Sequence, residues 1–230
     1  MGVKISASLM CADLTRLGQQ VQELAEAGID WLHFDIMDGH FVPNFALGVC
    51  TTEAVRPLTD LPLDVHLMVE DPDRHLKAFV EAGAGILAVH AEACRDAGRT
   101  LGMIRDLGAI GGLALNPGTP FASVREYAGQ AQMILVMGVH PGFAGQKLLP
   151  GTIEAIASVR QGLAELGLQA EIQVDGNVSF EHAAAMVAAG ATVLVGGSAS
   201  VFSPQVGSIA EGIRRLREAA AEGERQRKEE

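Results

Sequence analysis

The stretch DWLHFDIMDGHF, residues 30–41, has the hydrophobicity of a buried strand with two unlike faces. Side chains of a strand alternate between its faces. Leu32, Phe34 and Ile36 therefore form one apolar face, whereas His33 and Asp35 lie on the other. The sequence predicts a strand whose second face is partly ionisable and needs a function.

The same unit recurs along the chain: a short apolar strand, a loop marked by glycine or proline, and an amphipathic helical pattern closed by glycine. Strands that alternate with helices pair in parallel through right-handed crossovers. Eight such units predict an α/β fold, a closed (β/α)8 TIM barrel, as a single domain over residues 1–230. The predicted strands are residues 4–10, 31–38, 63–69, 86–92, 110–116, 133–139, 171–175 and 192–198.

Two further features bear on the fold. A doubly wound open sheet is the alternative architecture, and it is disfavoured because no GxGxxG motif follows the first strand. The charged tail, about residues 218–230, is expected to fray into solvent. No linker or second domain is expected.

Composition narrows the partners. The chain has 230 residues, with 17 Lys and Arg against 28 Asp and Glu, so its formal charge is −11. This charge disfavours nucleic acid and anionic membranes as partners, although backbone amides still allow a small anionic ligand. The three cysteines have no metal-type or disulfide-type spacing, and no apolar run approaches the length of a membrane span. We expect a cytoplasmic protein.

Polar residues fall late in several predicted strands, which is where barrels of this kind build their active sites. His33, Asp35, His66 and Asp175 would meet at one end. Buried carboxylates need partners, so this set predicts a metal site. Two imidazoles with two carboxylates suit one Zn²⁺, Fe²⁺, Mn²⁺ or Co²⁺ ion per subunit better than Ca²⁺ or Mg²⁺.

The end of the fourth strand is open to two interpretations. His90 and Glu92 either support the metal ligands or form an ordinary polar strand end, and the sequence does not separate these readings.

Two glycine-rich stretches, HPGFAGQ (140–146) and VGGSAS (195–200), indicate an anion site, because glycine lets backbone N–H groups approach a phosphate. None of the four lysines lies late in a strand, and no GxSxG motif is present. Schiff-base aldolase chemistry and serine hydrolysis are therefore disfavoured.

These motifs together resemble one family. ISASLMCADL, LHFDIMDGHFVPN, LDVHLMVEDP, VHAEA, LNPGTP, VMGVHPGFAGQ, VDGN and GGSAS are similar, in order and spacing, to the ribulose-phosphate 3-epimerase family from about residue 4 to 202. The resemblance implies that Asp35 and Asp175 are the catalytic carboxylates, and that they bind the metal with His33 and His66. It also implies substrate contacts at Ser8, Met37, His66, Met68, Met137, Gly142, Phe143, Ala144, Gly145, Gly176, Asn177, Gly197 and Ser198.

The implied reaction agrees with this residue set. Epimerising C3 of a 2-ketose phosphate requires removal of the proton α to the C2 carbonyl and its return on the opposite face. Two aspartates from different strands suit an acid/base pair, and a divalent cation stabilises the enediolate. We expect conversion of D-ribulose 5-phosphate to D-xylulose 5-phosphate. The alternatives are 3-epimerisation of D-allulose 6-phosphate to D-fructose 6-phosphate and, more remotely, a noncatalytic phosphosugar-binding barrel.

Four positions depart from the family pattern. Ala7 replaces proline, His140 replaces asparagine, and Ala144 and Asn177 replace glycines. SLMC together with PGFAGQ resembles the branch that acts on allulose 6-phosphate, which keeps the hexulose alternative open. The expected partners are a small sugar phosphate and further copies of the chain, as a homo-oligomer that is a dimer or a hexamer.

Overall fold

Eight parallel strands close into a barrel in the computed structural model, which describes residues 2–229. Each strand pairs with the next in the chain, and the last pairs with the first. The predicted (β/α)8 barrel is therefore confirmed. The strands are β1 Lys4–Ser8, β2 Trp31–Asp38, β3 Leu63–Met68, β4 Ile86–His90, β5 Ile110–Leu115, β6 Met133–Met137, β7 Glu171–Asp175 and β8 Val193–Gly196.

Seven α-helices surround the barrel within residues 2–229: α1 Leu17–Glu26, α2 Val49–Val55, α3 Leu76–Glu81, α4 Ala97–Asp106, α5 Thr152–Glu165, α6 Ala183–Ala189 and α7 Ile209–Glu229. The crossover from β5 to β6 has only a 3-10 turn, Phe121–Ser123, and further turns. Pro117 and Pro120 lack the N–H donors that a helix needs. Helix α7 continues through Glu229, and the expected fraying of its end stays a prediction.

Six of the eight strands are shorter than the pattern predicted. β1 ends at Ser8 instead of residue 10, because the chain turns into a 3-10 helix, Leu9–Cys11, in which Ala12 N–H donates to the Leu9 carbonyl. β4 ends at His90, and Ala91–Ala93 form another such turn. Alternation of apolar residues continues past the last ladder pair, so it does not mark where pairing stops.

A two-residue antiparallel strand, Phe45–Ala46, was not predicted, since it is too short to show alternation. It pairs with the end of β2 and folds the loop after β2 back over the barrel mouth.

Apolar side chains fill two separate spaces. Outward-facing strand residues such as Leu32 and Phe34 pack with the helices, and each such fully buried side chain contributes about 1.5–3 kcal/mol. Inside the barrel, a second cluster comes from one half of the sheet: Ile86, Ala88, Ala114, Met133, Leu135 and Met137. Most polar interior residues lie on β1, β2, β3 and β7, and His90 at the end of β4 is the exception. Among the described residues, none of the helices combines the length and apolarity needed to cross a membrane.

Candidate metal centre and active site

The four predicted metal ligands converge at the carboxyl end of the barrel. His33 and Asp35 come from β2, His66 from β3 and Asp175 from the last position of β7. Their ligand atoms all lie within 4.8 Å of one another. Such grouping follows from strand register, because Asp35 pairs directly with His66 across the β2–β3 ladder.

The distances within this cluster match the coordination sphere of one ion. Asp35 Oδ1 lies 3.5 Å from His33 Nε2 and 3.7 Å from His66 Nδ1, which in turn lies 3.7 Å from Asp175 Oδ2. Ligand atoms at about 2.0–2.2 Å from a single ion lie about 3–4 Å apart. The four side chains can therefore surround one cation after small adjustments.

Two ring nitrogens support the same conclusion. His33 Nε2 and His66 Nδ1 are buried and have no hydrogen-bond partner. An unsatisfied buried polar atom costs about 1–3 kcal/mol, so such an atom needs a compensating partner. His33 Nε2 faces Asp35 and His66 Nδ1 faces both carboxylates, and this mixed donor set suits a borderline divalent metal ion. The residues present fit a metal centre.

Protons balance the charge of the metal-free cluster. Burial and the negative charge of Asp35 raise the pKa of Asp175 to about 7. Burial opposes ionisation of Asp35, but the charge of the neighbouring His33 outweighs burial and lowers that pKa well below its usual range. Burial also opposes protonation of His33, yet Asp64 and Asp35 raise its pKa well above the ordinary value. Protons thus occupy the site where a cation would otherwise neutralise the carboxylates.

A buried network within the barrel holds His33. The Asp64 carboxylate is fully buried, and its Oδ2 accepts hydrogen bonds from His33 Nδ1 at 2.7 Å, Ser6 Oγ at 3.0 Å and Gln173 Nε2 at 2.6 Å. Because Nδ1 donates to Asp64, Nε2 is the nitrogen left for a metal.

Sequence reasoning did not assign Ser6, Asp64 or Gln173 to the site, although the signal was present. Each lies two positions before a predicted site residue on the same strand: Ser8, His66 and Asp175, respectively. The period of two places them on the same interior face, one layer deeper.

A second contact holds His66. Its Nε2 lies 2.9 Å from His90 Nε2, and His90 Nδ1 lies 3.4 Å from Glu92 Oε2. Of the two readings that the sequence left open, this geometry favours support of the metal ligands.

A cavity of about 570 Å³, including its mouth, opens above the cluster, with Asp35 and Asp175 at its base. His33 and His66 lie fully buried beneath it. Ser8 Oγ donates to Asp35 Oδ2 at 2.7 Å and so orients that carboxylate. The other lining residues predicted from sequence are all present: Met37, Met68, Met137, Gly142, Phe143, Ala144, Gly145, Gly176, Asn177, Gly197 and Ser198.

Further residues line the cavity beyond those predicted as substrate contacts. Met10 and Cys11 come from the 3-10 helix after β1, Val139 directly precedes the first glycine-rich stretch, and Gln146, Val195 and Ala199 lie within the two stretches. Their proximity along the chain to the predicted contacts was the signal for them. Met10 does not lie in a strand, contrary to the sequence prediction, but it still reaches the cavity.

Glycine is required where the two loops meet. Gly176 has a φ of +107°, and a Cβ there would lie 2.7 Å from the Val139 side chain. Asn177 follows with a φ of +50°, a left-handed conformation that asparagine tolerates, and its Nδ2 donates to the Gln146 carbonyl at 2.6 Å. The asparagine that departs from the family pattern thus ties the loop after β7 to the loop after β6.

The loop after β6 has its carbonyls bound and several amides free. Asn44 donates to the Gly142 carbonyl at 2.8 Å, and Gln146 donates to the carbonyls of His140 and Phe143. Among residues 2–229, the N–H groups of Ala144, Gly145 and Gly197 donate to no other protein group. The cavity lining as described contains no Lys or Arg. Backbone amides are therefore the available donors for an anion at this rim.

These features define a class of protein: a (β/α)8-barrel enzyme with a candidate metal centre and an anion-binding rim at the carboxyl ends of its strands. Residues 4–202 match the sequence profile of the ribulose-phosphate 3 epimerase family. The chain belongs to this family, whose members are carbohydrate epimerases, and the predicted resemblance is confirmed.

Curated relatives match over most of their length. The chain is 45% identical to a ribulose-phosphate 3-epimerase of Bacillus subtilis over 198 residues, which cover 86% of this chain and 91% of the relative. It is 37% identical to a ribulose-phosphate 3-epimerase of Escherichia coli, with coverage of 91% and 94%. A chloroplastic ribulose-5-phosphate-3-epimerase of Arabidopsis thaliana is 40% identical, with coverage of 94% and 78%.

More distant solved structures share the barrel alone. A 3-hexulose-6-phosphate synthase is 18% identical, with a TM-score of 0.65 and coverage of 94% of this chain and 99% of that one. A thiamine phosphate pyrophosphorylase from Pyrococcus furiosus is 13% identical, with a TM-score of 0.65 and coverage of 96% of both chains.

Proposed function

We propose that the protein is a metal-dependent epimerase that interconverts D-ribulose 5-phosphate and D-xylulose 5-phosphate. The observation that carries this proposal is the meeting of Asp35 and Asp175 with two unpartnered histidine nitrogens at the base of one cavity. The relatives named above as ribulose-phosphate 3-epimerases support the choice of substrate.

The two aspartates move the proton. One carboxylate removes the C3 proton, and the carboxylic acid form of the other returns a proton to the opposite face of C3. Their unlike environments suit this division, because the pKa of Asp35 is lowered and that of Asp175 is raised to about 7. In the reverse direction the two residues exchange roles.

His33, Asp35, His66 and Asp175 would hold one Zn²⁺, Fe²⁺, Mn²⁺ or Co²⁺ ion per subunit. When bound, this cation supplies Lewis-acid stabilisation of the negative charge that develops on the substrate oxygens. Met37, Met68 and Met137 line the cavity around the carboxylates and exclude water with polarizable, non-ionisable side chains.

The glycine-rich rim binds the substrate phosphate. Free amides at Ala144, Gly145 and Gly197 provide donors without a cationic side chain, which is consistent with the acidic composition. Ser8, Phe143, Asn177 and Ser198 complete the contacts in this proposal, together with Gly142 and Gly176, which give the loops their shape.

The hexulose alternative is not favoured, because the relatives named above cover most of the chain and are ribulose-phosphate epimerases. The same assay distinguishes the two substrates. Incorporation of solvent deuterium at C3 is measured for D-ribulose 5-phosphate and D-allulose 6-phosphate, after chelation and return of each metal. We expect metal-dependent exchange with the higher kcat/KM on the pentulose, and no exchange on either sugar would overturn the proposal.

Variants of the two aspartates test their roles. Asp35→Asn and Asp175→Asn are each expected to slow C3 exchange by about 10²–10⁴-fold, because the acid/base group is lost. Circular dichroism provides the check on the fold. Exchange near the wild-type rate in either folded variant would contradict the assignment.

We also propose a homo-oligomer, a dimer or a hexamer, that works in the cytoplasm. Exposed apolar side chains such as Leu14 and Leu58 support an assembly, and three free cysteines suit a reducing compartment. The net charge of −11 argues against a nucleic-acid partner. Light scattering measures the mass of the assembly, and a monomer would contradict the proposed homo-oligomer.

A further inference from the structure

A chain of polar contacts leads from His66 to the edge of the barrel. His66 and His90 are both fully buried, and their Nε2 atoms lie 2.9 Å apart. The second nitrogen of His90 faces Glu92 Oε2 at 3.4 Å. Glu92 Oε1 accepts hydrogen bonds from the Asn116 N–H at 2.9 Å and from Thr119 Oγ1, both in the segment after β5.

The hydrogen bonds in this series of contacts run in one direction. Two neutral imidazoles share one hydrogen bond only when one Nε2 carries a proton and the other does not. Both rings are fully buried and their Nε2 atoms lie at hydrogen-bond distance, so one proton lies between them. Two donors, the Asn116 N–H and Thr119 Oγ1, point at Glu92 Oε1, which is the arrangement of an ionised carboxylate.

An ionised carboxylate accepts and does not donate. His90 Nδ1 must therefore carry the proton that faces Glu92, which leaves His90 Nε2 as an acceptor. His66 Nε2 then carries the proton of the shared hydrogen bond, and His66 Nδ1 is the nitrogen with a free lone pair. This is the atom that lies 3.7 Å from both Asp35 and Asp175.

We propose that Glu92 and His90 are positioning residues that fix the tautomer and ring orientation of His66, so that Nδ1 is presented to the metal ion. Neither residue touches the substrate cavity. The inference deepens the proposed function and rests on it, since it concerns a ligand of the proposed metal centre. It assigns a role to the HAE segment, residues 90–92, and to the turn after β5 that holds Glu92.

The series of contacts from His66 through His90 to Glu92, called the relay below, is also held by packing around His90. The Phe41 ring lies against the His90 ring, with 4.7 Å between centroids, and the His66 and His90 rings are 4.9 Å apart. Phe41 belongs to the loop after β2, so three strand ends, β2, β3 and β4, converge on the relay. A change in any of these loops has a physical route to the ligand.

Zinc affinity of the metal-free protein is the main test. Wild type, Glu92→Gln and His90→Leu are stripped with chelator, and the Kd for Zn²⁺ is measured by competition with a chromogenic chelator. Loss of a group that orients a metal ligand weakens affinity by about 10–100-fold. We expect a loss near tenfold for Glu92→Gln, which keeps an acceptor, and near a hundredfold for His90→Leu.

Two controls separate positioning from a general structural effect. Glu70→Gln changes another glutamate at the same rim, whose side chain is exposed, and it should leave the Kd unchanged. His90→Gln offers a carbonyl oxygen to His66 Nε2, so it should recover much of the affinity that His90→Leu loses. If His90 only filled space, His90→Leu and His90→Gln would have the same Kd for Zn²⁺.

The tautomer itself gives the sharpest readout. Long-range ¹⁵N–¹H spectra of the zinc-loaded wild type should show the His66 proton on Nε2, and this signal should be broadened or shifted in Glu92→Gln. Unchanged Kd and unchanged His66 signals in folded Glu92→Gln would overturn the proposal. If His90→Leu does not fold, Glu92→Gln alone decides. Failure of the wild type itself to bind zinc would instead count against the proposed metal centre.

Discussion

The two histidines of the metal centre are held in opposite ways. His33 is fixed directly by Asp64, in a network inside the barrel that includes Ser6 and Gln173 and has no access to solvent. His66 is fixed through His90 by Glu92, which is partly exposed and bound to the turn after β5. One ring nitrogen of each histidine is thus left free for a metal, by contacts inside the barrel for His33 and by contacts with the loops for His66.

Support for His33 is therefore inseparable from fold stability, whereas support for His66 is not. A buried carboxylate with three donors cannot be removed without orphaning them. A carboxylate at the rim has water as a substitute partner. Mutations on the His33 side should therefore affect stability and metal together, and mutations on the His66 side should affect metal binding with little change in stability.

Asp64→Ala should have the largest effect. It leaves His33, Ser6 and Gln173 without their shared acceptor in a fully buried space, and breaking a buried pair of this kind lowers the free energy of unfolding by about 3–5 kcal/mol. Glu92→Ala on the other side should lose only about 1–2 kcal/mol. Urea denaturation of the metal-free proteins measures both free energies of unfolding. Equal losses in the two variants would show that the supports of His33 and His66 do not differ in their contribution to stability.

Zinc itself should stabilise the wild type by the next largest amount. At about 100 times its Kd, a ligand of the native state adds about 2.7 kcal/mol. In a domain of this size the melting temperature rises by about 5–10 °C. At the same zinc concentration Glu92→Gln should show about half this shift, because a tenfold weaker site retains about 1.4 kcal/mol. Differential scanning fluorimetry with and without chelator provides the measurement, and identical shifts would refute the relay.

The pH dependence of zinc affinity depends on which groups lose a proton when the metal binds, and His33 and His66 differ in this respect. In the metal-free protein Asp175 has a pKa of about 7 and His33 a raised pKa, so both hold protons at pH 6 that a metal must displace. Burial lowers the pKa of His66, so this ring contributes less to the proton release than His33 does. Affinity should fall by about tenfold per pH unit below 7 from Asp175 alone. Calorimetry in buffers of different ionisation enthalpy counts the protons, and a flat profile between pH 6 and pH 8 would contradict these assignments.

Thr119→Val should have the smallest effect. It removes one of the hydrogen bonds to Glu92 while keeping the shape of the side chain, so Glu92 keeps the Asn116 N–H. One such bond is worth about 0.5–1.5 kcal/mol, and only part of it reaches His66. We expect about a twofold rise in the zinc Kd. A rise as large as that of Glu92→Gln would mean that Thr119, not the carboxylate charge, sets the relay.

Much of this arrangement could be predicted from the sequence, for identifiable reasons. Eight strand-and-helix units indicated the barrel, and late positions in strands indicated His33, Asp35, His66 and Asp175. The predictions of the barrel and of these four residues succeed because they depend on local period and on the rule that the carboxyl ends of parallel strands meet at one end of the barrel. The glycine-rich stretch 140–146 was recognisable because Gly142 and Gly145 have φ of +123° and +78°, a conformation that favours glycine.

The supporting residues could not be predicted with the same ease, because support depends on contacts between strands far apart in the chain. Asp64 meets Gln173 across 109 residues, and nothing local to either residue reveals that contact. His90 and Glu92 had two equal interpretations until register brought His90 beside His66. Strand ends were also predicted too late, as in β1, where the apolar pattern continues into a 3-10 helix.

Anomalous diffraction from crystals of the zinc-loaded protein would locate the metal and both histidine ligand atoms. We expect one zinc ion per chain, bound to His33 through Nε2, to His66 through Nδ1, and to the carboxylates of Asp35 and Asp175, with Asp64 and His90 on the opposite nitrogens of the two rings. An ion bound elsewhere, or bound through the other nitrogen of either histidine, would contradict this expectation.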